Sequence, residues 1–250
     1  MGFDNSKNEG ETYTNQMNEL IFFLGIIAVF SCVVLVGKYF GEAGLVAWVA
    51  VSTILANVIL PKQIHLLGLD VTLGNIMFSS TYLCTDILSE KVGIKSSRRA
   101  VYIGLVSALF FVGLTQVALL FVPNEFDYAQ GAMQELFAFS ARVTLASMVM
   151  YFLANMCDVY LFEGLRKRFP QQLWLRNNIS TILCNCVENF GLMIIGFLGV
   201  YDFKTCMVIA AGTCVIETVV GLCDTPFVYI GRKVFDKPRE LVEITPQLET

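Results

Sequence analysis

The sequence predicts an all-α integral membrane protein: a six-helix transmembrane core plus one extra N-terminal transmembrane helix. Of its 250 residues 56% are hydrophobic and only 15% are charged, where soluble domains carry about 25% charged residues. Mean hydropathy is +0.65. Seven apolar segments are each long enough to cross a hydrocarbon layer of ~30 Å at ~1.5 Å per residue.

The first 18 residues, MGFDNSKNEGETYTNQMN, are polar and lack a basic n-region, so they read as a disordered tail and not a cleavable signal. Met1-Gly2 with Ser6 formally fits a myristoylation pattern, but spanning helices make such an anchor redundant. The extra helix occupies 19–42, the core 43–231 and a cytoplasmic tail 232–250. Spans are expected near 19–37, 43–60, 72–90, 100–122, 138–162, 177–199 and 205–230. The third is the least hydrophobic, and a re-entrant helix is its rival reading. Pro61, Pro123 and Pro170 fall in connections, where the missing backbone donor costs least.

Basic residues orient the bundle. One set of connections and the C-terminal tail carry Lys38, Lys91, Lys95, Arg98, Arg99, Arg166, Lys167, Arg168, Arg176, Arg232, Lys233, Lys237 and Arg239, thirteen in all. The other side carries three, Lys7, Lys62 and Lys204, and the acidic segment with Glu125, Asp127 and Glu135. The C-terminus is therefore expected in the cytoplasm and the N-terminus outside. Arg142 lies within a span near its outer end.

Composition narrows the function classes. A net charge of −4 with no large basic patch gives no sign of nucleic acid. Eight cysteines lie mostly in apolar runs, with no CxxC and only one histidine, His65. Metal-ligand spacing is absent, and the cysteines read as small hydrophobes. No cofactor is implied. An intramembrane enzyme would need a His-assisted nucleophile, a metal trio or a carboxylate pair. His65 falls in an external loop, and Glu188 and Glu217 lack the Asp-Gly contexts of an aspartic dyad.

The acids inside the spans are the most informative residues. A carboxylate at a helix centre costs about 2.5–3.5 kcal/mol by insertion scales, so such groups face a protein interior and mark a path or a site. Helical spacing puts Phe78, Tyr82, Asp86 and Glu90 on one line, and Tyr151, Asn155 and Asp158 on another. Thr181, Asn185, Glu188 and Asn189 make a third, and Thr213, Glu217, Gly221 and Asp224 a fourth. Four stripes facing one another would make a polar chamber. Glu188 and Glu217 lie about 17–18 Å into the membrane by helix rise. Asp86, Glu90 and Asp158 lie nearer the cytoplasmic end, where Arg98, Arg99 and Arg176 allow a structural or gating ion-pair network instead. Asn155-x-x-Asp158 and Asn185-x-x-Glu188 echo each other too briefly to define a repeat. A flat ligand with adjacent N–H donors, such as a guanine-like base, suits a carboxylate acceptor, amide donors and an aromatic face from Phe78, Tyr82, Tyr151 or Phe190. Taken singly, each of those aromatics reads more readily as plain packing than as a ligand face.

Four ordered runs carry a resemblance. TYLCTDILSEKVGIKSSRRAVYIG (81–104), ARVTLASMVMYFLANMCDVYLFEGLR (141–166), WLRNNISTILCNCVENFG (174–191) and DTPFVYIG (224–231) together resemble the queuosine precursor transporter family, also called the vitamin uptake transporter family. The resemblance implies a six-helix core similar to the substrate-binding subunits of energy-coupling-factor transporters, and import of deazaguanine compounds. The family's polar positions fall on Thr85, Asp86, Glu90, Arg142, Ser147, Asn155, Asp158, Arg176, Asn177, Ser180, Thr181, Asn185 and Glu188. Glu188-Asn189 stands where the family pattern has Asp-Ser, and Asn155 where Gln is common. Glu217 stands where many members carry Lys, which replaces a cation with an acid. The expected substrate site is thus Glu188, Glu217, Asn185, Asn155, Asp158, Asp86, Tyr82, Arg142, Asn189 and Thr181, with Glu90, Arg176 and Arg99 as structural or gating ion pairs. The expected partners are a small deazaguanine, membrane lipid and, in one alternative, a second copy. In another alternative the chain is the binding subunit of an ATP-driven module, docking through stripes such as Ala43-x-x-x-Ala47 and Ser52-x-x-x-Ala56.

Overall fold

The computed structural model describes the backbone of residues 5–60, 62–137 and 141–235, and side chains from residue 16 onward except those of 70, 141, 142 and 144. Pro61 and the tail 236–250 lie outside the described residues, as does the side chain of Arg142.

Seven α-helices account for nearly all of the described residues: α1 (Asn5–Ile59), α2 (Gly74–Lys91), α3 (Ile94–Leu119), α4 (Gln130–Phe137), α5 (Ala141–Arg168), α6 (Leu173–Leu192) and α7 (Phe203–Val234). Among the described residues five segments are long and apolar enough to cross a membrane: Gln16–Ile59, Ile94–Leu119, Leu145–Arg168, Leu173–Phe197 and Phe203–Val234. The first helix starts at Asn5 and not near residue 19, so the polar segment expected to be disordered is helical from that point on.

The longest helix is two arms joined at a break. Gly41 has φ 63° and ψ −145°, a conformation open essentially to glycine alone. A straight helix would hold residues 19 and 59 about 60 Å apart, yet the Leu67 N–H, just beyond the second arm, donates to Glu19 Oε1 at 3.3 Å. The arms therefore fold back on one another. Their approach at the turn is close: a Cβ on Gly44 would lie 2.5 Å from Phe40 Cβ and 3.1 Å from the Val36 carbonyl oxygen.

Next comes an element that the apolar pattern does not announce, a two-stranded antiparallel hairpin of β1 (Gln63–Leu66) and β2 (Leu69–Thr72). Its turn, Leu67-Gly68, has positive φ at both residues (52° and 80°), as a two-residue hairpin with the right-handed twist of its strands requires. Leu66 and Val71 point into the core beside Phe22, so the hairpin plugs the end of the bundle opposite the arginines. The short α4, in the acidic connection, is likewise additional to the expected spans.

The centre of the bundle is α2, packed against α1, α3, α5 and α7. Thirteen of its 18 residues are buried, from Gly74 and Asn75 through the continuous run Ser79–Ser89. This explains its low hydropathy and its absence from the five apolar spans. Hydropathy reports contact with lipid, and α2 is sheathed by protein, so serine, threonine and asparagine are tolerated where each finds a partner. It is one unbroken helix about 27 Å long.

Candidate functional site

The four predicted stripes do converge around α2, and they do so in three tiers.

At the arginine-rich end Glu90 is gripped from three helices. Arg176 of α6, itself 1% exposed, makes the shortest contact with Glu90 Oε2. Arg232 of α7 lies 3.3 Å from Oε1, and Arg166 of α5 lies 3.9 Å from Oε2. The clamp is anchored further. Arg166 donates to the Ser89 carbonyl at 2.9 Å, Arg176 donates to the Pro170 carbonyl at 3.2 Å, and Arg176 stacks over Phe162 with its guanidinium 5.2 Å from the ring centre. Arg99, expected in this network, is instead exposed on the outer face of α3. The reason is helical phase: Ser96, Ser97 and Ala100 are the buried side of that turn.

One to two turns deeper sits a closed tier of three acids from three helices. Asp86 (α2) and Asp158 (α5) are fully buried; neither Asp86 carboxyl oxygen has a hydrogen-bond partner among the described residues, whereas the Ser180 and Thr181 hydroxyls of α6 face Asp158. Asp224 (α7) is 1% exposed and accepts from Asn177 Nδ2 of α6 at 2.6 Å. Asp158 and Asp224 are the acids whose charge bears most on Asp86, and Arg176 is the cation that does so. The Asn177–Asp224 pair is not visible as a contact in the sequence. Both residues stand out, but nothing in either span marks a partner 47 residues away.

The third tier is more open. Tyr82 Oη donates to Glu188 Oε2 at 2.8 Å, which ties α2 to α6. Asn189 Nδ2 donates to Glu217 Oε2 at 2.5 Å, which ties α6 to α7, and also to its own helix at the Asn185 carbonyl, 2.9 Å away. Both glutamates are half-buried and lie close enough to feel each other's charge. Each carboxylate can accept about four hydrogen bonds and uses one here. Thr181, about two turns from Glu188 along α6, belongs instead to the closed tier, where its hydroxyl faces Asp158. The polar wall continues through Thr81 Oγ1, 3.3 Å from Asn155 Oδ1, and through Asn155 Nδ2, which donates to the Tyr151 carbonyl at 3.0 Å. The Tyr151 hydroxyl is hydrogen-bonded to Thr53 of α1 at 2.9 Å, and its ring lies 5.5 Å from Phe78.

Of the expected residues, then, Glu188, Glu217, Asn189, Asn185, Tyr82 and Asn155 meet in the outer tier, and Asp86, Asp158 and Thr181 in the closed one. Glu90 and Arg176 meet in the clamp. Arg166 and Arg232 are additions to it that the sequence does not single out. Chemically, the outer tier offers paired carboxylate acceptors, the Asn185 side-chain amide and aromatic rings. That is a recognition surface for a small, flat, donor-rich molecule.

A helical bundle with apolar outer faces and a buried, polar, acid-lined interior defines a multi-pass membrane protein of the transporter type. The family model described as "Putative vitamin uptake transporter" matches residues 72–231, a stretch running from the hairpin through the clamp helices. The chain belongs to that family. It is 35% identical over 219 residues, 87% of this chain and 95% of the relative, to a Bacillus subtilis (strain 168) protein named "Probable queuosine precursor transporter". It is 26% identical over 142 residues, 57% of this chain and 62% of the relative, to the Escherichia coli (strain K12) "Queuosine precursor transporter". No solved structure matches the chain.

Proposed function

We propose that the protein imports queuosine precursors, deazaguanine bases, across a bacterial plasma membrane, with its arginine-rich end and C-terminus in the cytoplasm. The observation that carries this reading is likeness over nearly the whole chain to a relative named for queuosine precursor transport. The paired glutamates of the outer tier supply the chemistry. A deazaguanine presents a ring N–H and an exocyclic amino group side by side, which one carboxylate accepts as a pair. In this reading Glu188 or Glu217 takes that edge, Asn185 meets the carbonyl, and Tyr82, Tyr151 or Phe78 covers the ring.

The two arms of α1 count as two crossings and α2 as a third, so the chain crosses seven times. The first arm is the addition and the second arm begins a six-helix core. Transport follows alternating access around the outer tier, and the Glu90 clamp is the closed gate on the cytoplasmic side. The relatives carry the name of a transporter and not of a subunit, so uptake by this chain alone is expected.

Glu217 adds selectivity. A second carboxylate beside the first favours a substrate with an ammonium group, the aminomethyl base or queuine, over the neutral cyano compound. Competition uptake in a strain unable to make queuosine tests both levels. Cyano, aminomethyl, queuine and guanine competitors are compared for wild type and Glu217→Gln. The expected outcome is preference for the amines in wild type and loss of that preference, by about ten-fold, in the variant, as for one charge-assisted contact. Equal competition in both chains removes the selectivity claim, and no uptake of any of these bases removes the importer reading.

A further inference from the structure

We propose that the outer face of α3 at the arginine-rich end is a binding site for an anionic phospholipid, with the headgroup phosphate held by Lys95, Arg98 and Arg99. These three line a groove of about 700 Å³ with Tyr102, Ile103, Val106 and Ser107. All seven lie on one helical face, at spacings of three and four.

Four features point to a lipid. First, the cations are uncompensated: among the described residues no carboxylate pairs with Lys95, Arg98 or Arg99. Second, Arg98 is held in place. Its guanidinium lies 5.3 Å from the centre of the Tyr160 ring of α5, and its Nε is buried with no acceptor among the described residues. A long side chain reaching freely for water would keep its nitrogens wet. This one is fixed against Tyr160. Third, the three cations sit in the first turn and a half of α3, where the helix dipole adds positive potential. Fourth, the same face continues away from the cations as Val106, Phe110, Leu114 and Val117, all more than half exposed. A molecule with a phosphate at one end and acyl chains at the other matches that order of residues. Tyr102 stands between the two parts, the level at which tyrosine concentrates in membrane proteins. The second basic groove, lined by Lys91, Tyr229, Ile230, Arg232 and Lys233, is weaker, because Arg232 is already engaged by Glu90.

The test is native mass spectrometry of the purified full chain, titrated with short-chain phosphatidylglycerol or phosphatidylcholine. Wild type is expected to retain phosphatidylglycerol in preference to phosphatidylcholine. Arg98→Gln with Arg99→Gln should weaken phosphatidylglycerol retention by roughly five-fold for each cation removed and leave phosphatidylcholine unchanged. Lys95→Gln, at an exposed position, gives the same loss on a smaller scale and serves if the double variant misfolds. Lys167→Gln with Arg168→Gln, at the exposed end of α5, should have no effect. Equal retention of the two lipids overturns the proposal, as does equal loss in the α5 control. So does inorganic phosphate displacing the lipid at matched concentration, which would mark a site for a soluble anion. None of these outcomes depends on what the protein transports.

Discussion

At the residue scale the central fact is that the two outer glutamates stay half-exposed with one donor each, whereas the three inner acids are enclosed. Glu188 has one strong donor in Tyr82, and Glu217 has one in Asn189. Each hydrogen bond fixes one oxygen and leaves the rest of the carboxylate free to accept. Tyr82→Phe isolates this effect, because the ring that packs with Ala154 and Cys184 is retained and only the donor is lost. Glu188 would then rotate, and the half-saturation concentration for uptake should rise roughly ten-fold, the scale of one hydrogen bond to a charged group. The maximal rate should change little. Normal expression with an unchanged half-saturation value would show that Tyr82 does not position Glu188 for substrate. Tyr82 is legible from the sequence, because α-helical spacing is enough to assign neighbours along one helix. Asn177 as the partner of Asp224 is not, because that contact joins two helices, and the rotation of one helix against another leaves no mark in either stretch of sequence.

At the element scale the spans are legible and the joints are not. Apolar runs near 43–60, 100–122 and 205–230 become the second arm of α1, α3 and α7, since a long run of lipid-compatible side chains has few other fates. The hairpin Gln63–Thr72 is hidden because strands of four residues carry little periodicity. The clamp is only half legible for a related reason. Depth places arginines at the correct level, but depth does not say which way α3 turns, and the serines at 96 and 97 take the inward positions from Arg98 and Arg99. The reversal within α1 is the joint that most needs its particular residue. Gly41→Ala would force a side chain into a backbone conformation that costs about 1–3 kcal/mol. Nothing stands within 4 Å of a Cβ at that position, so the cost lies in the backbone alone. The expected result is a lower melting temperature in detergent. The turn has little slack to absorb the strain, because Phe40 and Val36 already press on Gly44. An unchanged melting temperature would mean that the turn can be remade elsewhere in the segment between the arms.

At the scale of the whole molecule the two ends of the bundle are closed by different chemistry. The hairpin end is sealed by packing of Phe22, Leu66 and Val71. The opposite end is sealed by one carboxylate shared among Arg166, Arg176 and Arg232, which ties α2 to α5, α6 and α7. An apolar seal resists opening in proportion to area, whereas an ionic clamp with a single acid opens all at once when that acid is removed. Glu90→Gln should therefore loosen the arginine-rich end of α5, α6 and α7 together. Deleting one partner of a buried ion pair costs about 3–5 kcal/mol because it strands the remaining charge, and Arg176 is the charge that would be stranded. Hydrogen exchange is expected to speed up over residues 162–168, 173–180 and 228–234 while the hairpin and the first arm of α1 stay protected. Where the clamp is the gate, as proposed above, uptake should fall as well, because the site then stays open at the arginine-rich end throughout the cycle. Exchange confined to α6 alone would show that Arg176 is a local brace, and the proposal that the Glu90 clamp is a gate would fall.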